Sequence, residues 1–304
     1  MKILDIVDLT KSFGDVKAVD GISFSVEKGA LFAFLGLNGA GKSTTINIIS
    51  TLLKKDGGKV FVAGTDLDAD PQRVREKIGL VFQNSVLDPS LTVEANLLAR
   101  ASLYGIYGKK AKDRISELAS LLGFSELTGR KYGKLSGGQR RRIDIARGLI
   151  HSPDILILDE PTTGLDPQTR RAVWDVVEDI RRDRGTTVFL TTHYMEEANG
   201  ADDVVILDAG RIAAQGSPVS LKERFSRDYV TVYCPRSAEN DVYFEGMERE
   251  YSDGAYRVTV GGSFGAKDIL RRCDPILGSF EVRKGDMDDV FLNVTGKKLE
   301  GGGL

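Results

Sequence analysis

Cysteine is scarce in this chain, and so is net charge. The two cysteines among 304 residues, Cys234 and Cys273, form no C-x-x-C pair. That spacing excludes a disulfide scaffold or a cysteine-based metal site and fits reduced thiols in a cytosolic protein. A formal net charge of −2 leaves no global basic field, which disfavours tight non-specific nucleic-acid binding. No apolar run approaches the roughly 18–20 residues that span a bilayer. The alternating N-terminus MKILDIVDLT lacks the apolar core of a signal peptide, so any service to a membrane is expected to run through a partner. No internal repeat is visible. Glycine, by contrast, is abundant: 34 residues, well above an average near 7%, which points to several positions that need open backbone geometry or close ligand approach.

The chain reads in two parts. Up to about residue 220, short apolar runs alternate with amphipathic stretches. Strands are expected at Ile3–Leu9, Ile22–Val26, Leu31–Leu35, Val60–Val62, Ile78–Phe82, Ile155–Leu158, Thr187–Thr191 and Val204–Leu207. Helices are expected at Lys42–Leu53, Val93–Tyr104, Lys112–Leu122, Gln139–Ile150, Pro167–Arg182 and Met195–Asn199. The continuous run ILIL (155–158) suits a parallel strand covered on both faces, whereas the alternating N-terminus suits a half-exposed antiparallel sheet. Together they predict an α/β core with a β-rich flank and a helical insert at roughly 85–135. From about 225 to 304 the runs YVTVYC (229–234), VYF (242–244) and YRVTV (256–260) alternate with polar turns. Met287, Val290, Phe291 and Val294 then recur at helical spacing, which predicts a small α+β domain ending in a frayed tail, GGGL.

The stretch GLNGAGKST (36–44) lies between the apolar run LFAFL and a predicted helix, the setting that a phosphate loop requires. Gly36, Gly39 and Gly41, with Asn38 and Ala40 between them, would let backbone N–H groups converge on phosphates at a helix N-terminus. Lys42 would reach the β- and γ-phosphates, Ser43 would take one Mg²⁺ position, and Thr44 would contact the α- and β-phosphates. The second motif, ILILDEP (155–161), is a buried strand closed by two acids. Successive strand residues face opposite ways, so the pair is expected to divide the work. Asp159 would hold Mg²⁺, and Glu160 would orient or deprotonate the attacking water.

LSGGQ (135–139), between these motifs, resembles the signature sequence of the ABC (ATP-binding cassette) ATPases. Other elements fall in that family's order: Gln83 in GLVFQ matches the Q-loop, Asp166 in TTGLD the D-loop, and His193 in LTTHYMEEA the switch histidine. Phe13 in KSFGDVKAV matches the adenine-stacking aromatic, and Leu37 departs from the usual proline. The resemblance implies a P-loop NTPase cassette over 1–220: a RecA-like parallel-sheet core, an antiparallel β flank and a helical subdomain at about 85–150. A C-terminal α+β domain at 225–304 would be regulatory or dimerising. It further implies ATP and Mg²⁺ as ligands, catalytic roles for Lys42, Gln83, Glu160 and His193, and Gln83 as a further metal ligand. Two cassettes would pack head to tail, with Ser136, Gly137, Gly138, Gln139 and Asp166 of one facing the nucleotide of the other.

Within that family, VLDPSLTVEANLLARASLYGI (86–106) and the ending DVFLNVTG (289–296) are similar to ATPase subunits of daunorubicin-resistance-type exporters. That similarity implies an ABC-2-type transmembrane permease as partner, no nucleic acid, and a cytoplasmic location on the inner face of the cell membrane. An importer ATPase stands as the alternative. A soluble ABC protein acting on DNA or ribosomes is disfavoured by the absence of a coiled-coil insertion or a second cassette. Arg140, Arg141 and Arg142 are anomalous, because cations at a helix N-terminus are unfavourable. Asp144 can pair with one or two of them. The rest would face a nucleotide, an acidic partner loop or solvent.

Overall fold

A computed structural model describes residues 1–296, apart from the side chains at 183–184 and 262–264; the tail GGGL lies outside the described residues. The chain divides into two compact units, Met1–Gln215 and Gly216–Leu304. The first opens with β1 (Lys2–Phe13), β2 (Val16–Glu27), β3 (Leu31–Leu35), α1 (Lys42–Ile49), β4 (Gly57–Val62), β5 (Thr65–Asp66), α2 (Pro71–Lys77) and β6 (Ile78–Val81). Three helices follow: α3 (Val93–Ser102), α4 (Gly108–Leu121) and α5 (Gly137–Leu149). The unit closes with β7 (Ile155–Asp159), α6 (Pro167–Arg184), β8 (Thr187–Thr192), β9 (Asp203–Asp208) and β10 (Arg211–Gly216).

These strands make two sheets. The flank is ordered β2-β1-β4-β5 and is antiparallel. The core sheet is ordered β10-β9-β3-β8-β7-β6, and its strands from β9 to β6 run parallel. Every residue of β3 and β8 is buried, and all of β7 but its last residue, Asp159. Strands buried along nearly their whole length are stable only when both faces of the sheet are covered. Phe24 of the flank stacks on Phe32 at 5.3 Å and meets Phe34 and Phe189 of the core sheet, which locks the two sheets together beneath the phosphate loop.

The edge of the core sheet is closed by a helix. Along β6 and the residue after it, the carbonyls of Ile78, Leu80 and Phe82 recur at the two-residue strand period. They accept from His151 Nε2 at 3.1 Å, Arg147 Nη2 at 2.5 Å and Arg141 Nη1 at 2.6 Å, so α5 and the turn after it run antiparallel to the edge strand. Close approach is possible because Gly79 and Gly148 face each other. A Cβ on Gly79 would lie 2.3 Å from the carbonyl oxygen of Gly148. At the far end of α5, Arg114 of α4 donates to the carbonyls of Leu149 and Ile150, filling acceptors that a helix C-terminus leaves unpaired.

Several local expectations are corrected. Helix α1 stops at Ile49 rather than Leu53, because Thr51 takes a left-handed φ of 63°. Helix α2 was unexpected, although Asp70 accepts from Arg73 N and Pro71 opens the first turn, both ordinary start signals. The stretch expected as a helix at 195–199 is a 3₁₀ turn, Met195–Gly200.

The second unit comprises α7 (Pro218–Phe225), β11 (Asp228–Tyr233), α8 (Ala238–Asp241), β12 (Arg249–Ser252), β13 (Ala255–Val260), α9 (Gly262–Arg272), β14 (Ser279–Arg283) and α10 (Met287–Thr295). Its sheet is antiparallel in the order β12-β13-β11-β14. VYF is a 3₁₀ turn; Phe244 is buried and stacks on Tyr256 at 4.2 Å, and a three-residue run carries too little periodicity to fix its conformation. Cys234 and Cys273 are free and buried in this core, and burial pushes both thiols up. Met287, Val290 and Phe291 are buried along α10, which Asp286 and Asp289 cap reciprocally.

Gly79→Ala sets a side chain against helix backbone, and urea unfolding should register a loss of about 2–3 kcal/mol. His151 stacks on Tyr104 at 3.9 Å, and burial, aided by Arg100, Arg114 and Arg147, lowers its pKa to about 4. Unfolded histidine titrates near 6.5, so the unfolded chain takes the proton first. Stability from the neutral ring is therefore complete above about pH 6.5 and is lost as pH falls towards 4, by roughly 3 kcal/mol. In thermal unfolding across that window, His151→Gln should show a shallower loss than the parent chain.

Candidate active site

The phosphate loop leaves β3 at Gly36 and enters α1 at Lys42, so backbone N–H groups and the helix N-terminus face one point. Gly41 sits at φ 107°, where a Cβ would lie 2.3 Å from the carbonyl oxygen of Ala18. Lys42 is buried and donates to the carbonyls of Gly36 (2.6 Å) and Leu37 (3.2 Å). Burial lowers its pKa, and the charges of Glu160 and Asp159 oppose that shift. Asn38, Gly39 and Ser43 are exposed at the loop surface, Thr44 is half-buried, and Ala40 is buried.

The two acids sit at the end of β7, beside β8. Thr191 Oγ1 donates to Asp159 Oδ1 at 2.6 Å and accepts from the Glu160 N–H at 3.1 Å, so one hydroxyl orients both residues. Burial raises the Asp159 pKa and the Glu160 charge adds to it, against the hydrogen bond from Thr191. Strand alternation is not what separates their roles. The strand ends at Asp159, and Glu160 takes a left-handed φ of 44°, a strained conformation of the kind that active sites retain.

Four groups converge on the Glu160 carboxylate. Gln83 Nε2 donates to Oε2 at 3.1 Å, as does Thr163 Oγ1 at 3.1 Å. His193 Nδ1 stands 3.4 Å from the same oxygen, and Lys42 Nζ 3.9 Å from Oε1. Lys42, Gln83, Glu160 and His193 therefore meet at one point although they are spread over 151 positions of sequence. Thr163 and Thr191 were missed in the sequence. The only local signal for Thr191 was its place near the end of the β8 run, two residues before His193.

The signature segment starts α5. Ser136 Oγ accepts from Gln139 N while Gln139 Oε1 accepts from Ser136 N, a reciprocal cap. A Cβ on Gly138 would lie 2.5 Å from Thr169 Cγ2 of α6, so this glycine also permits close packing against the segment that Asp166 opens. The Asp166 carboxylate caps α6 through Thr169 N and Oγ1, and those bonds lower its pKa. Phe13 ends β1 with half its surface exposed (52%), and Lys11 Nζ lies 5.5 Å from its ring centre.

The arginine run is corrected by the structure. Arg141 faces the protein interior, donating to the carbonyls of Phe82 and Asp159. Arg140 donates to the carbonyl of Leu135, and Arg142 reaches the carbonyl of Gly123 at 3.5 Å. Asp144 forms its hydrogen bonds with Ser85 Oγ (2.6 Å) and Tyr132 OH (3.1 Å) rather than with these arginines.

Among the described residues no cluster of three or more His, Cys, Asp or Glu could hold a metal ion. A hard divalent cation would thus depend on hydroxyl, amide and carboxylate oxygens from Ser43, Gln83 and Asp159 together with a nucleotide's own oxygens, a donor set that suits Mg²⁺. Among the same residues no helix is long and apolar enough to cross a membrane.

Comparison with known proteins accords with this geometry. The ABC transporter family is matched over residues 19–163. The daunorubicin/doxorubicin resistance ATP-binding protein DrrA of Streptomyces peucetius is 42% identical over 305 residues, covering 95% of this chain and 91% of that protein. The Nod factor export ATP-binding protein I of Burkholderia orbicola is 33% identical, covering 98% of each. Among solved structures, the dimeric post-hydrolysis state of the cassette MJ0796 with ADP and Pi aligns at a TM-score of 0.64 and 27% identity, over 70% of this chain and 98% of that one. With its phosphate loop, paired acids and signature segment in one fold, this chain belongs to the ABC transporter family as an ATP-binding subunit and is an ATPase.

Proposed function

We propose that the chain hydrolyses ATP within a head-to-tail dimer and thereby drives an exporter. The phosphate loop, Asn38 to Thr44, holds the triphosphate, with Lys42 on the β- and γ-phosphates and Phe13 against adenine. Ser43, Gln83 and Asp159 would hold Mg²⁺, which supplies charge neutralisation at the phosphate oxygens. Glu160 takes a proton from water as the water oxygen bonds to the γ-phosphorus. The bond from that phosphorus to the bridging oxygen breaks, and ADP leaves with the electron pair. Gln83 and His193 hold Glu160 and the water in line; positioning and charge placement supply most of the rate.

The observation that carries this reading is the convergence of Gln83, Thr163, His193 and Lys42 on one carboxylate. In the dimer, Ser136, Gly137, Gly138 and Gln139 close over the γ-phosphate held by the partner's loop, with Asp166 beside them. The dimeric relative with bound ADP and Pi supports that pairing. Near full-length similarity to drug-resistance and Nod factor export proteins supports coupling to an ABC-2-type permease at the inner face of the membrane.

Lys42→Ala should lower ATP turnover at least roughly a hundredfold in a phosphate-release assay; normal turnover would sink the loop's assignment. Glu160→Gln should remove general-base catalysis, often worth about 10²–10⁴-fold, and hold an ATP-bound dimer in size-exclusion chromatography. A strictly monomeric profile at saturating ATP would count against the dimer, and recovery with an importer permease from solubilised membranes against export.

A further inference from the structure

Arg141 lies five residues beyond the signature serine, on the helix that Ser136 caps. Its side chain is 6% exposed, and its planar fork spans two chain segments: Nη1 donates to the carbonyl of Phe82 at 2.6 Å and Nη2 to the carbonyl of Asp159 at 3.2 Å. Phe82 immediately precedes Gln83, and Asp159 immediately precedes Glu160. Each bonded carbonyl belongs to the peptide unit that leads into a residue of the site, so the fork fixes where both backbones stand. Asp144, one turn on, accepts from Ser85 Oγ at 2.6 Å. Helix α5 thus grips the chain on both sides of Gln83. Arg141 Nε is buried without a partner, so desolvation of the guanidinium is compensated only in part and stability alone is a poor account of the residue.

We infer that Arg141 is a positioning residue through which the signature helix of each subunit sets Gln83 and Glu160 of that same subunit, so that engagement of one ATP is felt at the other. The inference rests on the head-to-tail dimer proposed above. In that dimer the N-terminus of α5 meets the partner's ATP, while Arg141, about 7 Å further along a rigid helix, holds its own subunit's catalytic backbone. A displacement of the helix on phosphate engagement therefore moves the Phe82 and Asp159 carbonyls with it. Lysine cannot reproduce the coupling, because one ammonium lacks the planar fork.

The test uses the full chain with Arg141→Lys and Arg141→Met, each alone and combined with Glu160→Gln. ATP turnover is measured against ATP concentration, nucleotide affinity by equilibrium binding, and dimer formation by size-exclusion chromatography. The parent chain should give a Hill coefficient above 1. Both variants should bind nucleotide within about twofold of the parent and still form the trapped dimer, yet lose at least tenfold in kcat with a Hill coefficient near 1. Arg141→Lys, which keeps the charge and one donor, keeps the inference testable should Arg141→Met fail to fold. A non-cooperative parent, or variants with unchanged kcat and Hill coefficient, would overturn the inference while leaving the dimer in place. So would a loss of kcat that tracks a fall in nucleotide affinity with cooperativity retained. No trapped dimer with Glu160→Gln alone would overturn the dimer itself and the coupling with it.

Discussion

The contact on which the site depends is made between side chains and backbone at the edge of the core sheet. An edge strand leaves a row of carbonyls that no further strand satisfies. Here His151, Arg147 and Arg141 answer Ile78, Leu80 and Phe82 in turn. Because these donors belong to one helix and its exit turn, the helix is indexed to the strand residue by residue. The signature segment at its start and Gln83 at the strand's end consequently hold fixed positions relative to each other, before any nucleotide is considered.

The core sheet brings the remaining parts together. β7 and β8 are neighbours in register, so Thr191 falls beside Asp159 and Glu160, and His193 follows where β8 ends. β3 lies next to β8, which sets the phosphate loop beside the acids. Each residue is delivered by the C-terminal end of a parallel strand, where open α/β sheets place ligands. The left-handed turn at Glu160 then carries its carboxylate towards Lys42, Gln83 and His193 instead of leaving it on the far face of the sheet.

What could be read from the sequence was mostly local. LFAFL followed by GLNGAGKST announces strand, loop and helix within fourteen residues, and ILILDEP announces a buried strand with acids at its tip. Helical spacing over 287–294 located α10. What escaped was set by distance along the chain. Arg141 and Phe82 are 59 positions apart, and three arginines in a row at a helix start look like a surface feature. Only the edge strand, with acceptors to fill, turns the middle one inward. Thr191 escaped for the same reason, since its importance lies in a neighbouring strand 31–32 residues away. VYF is unreadable for a different reason: tertiary burial of Phe244 decides its conformation, and no period can be read from three residues.

A sheet edge closed by side chains differs in one further respect from an edge closed by a strand. Backbone acceptors already occupied by guanidinium and imidazole groups offer no template to a strand from another molecule, so β6 is shielded from edge-to-edge aggregation. That shielding is conditional on the helix staying in place. Partial detachment of α5 would uncover a parallel strand with its acceptor row vacant, and the shielding of this edge would be lost with it.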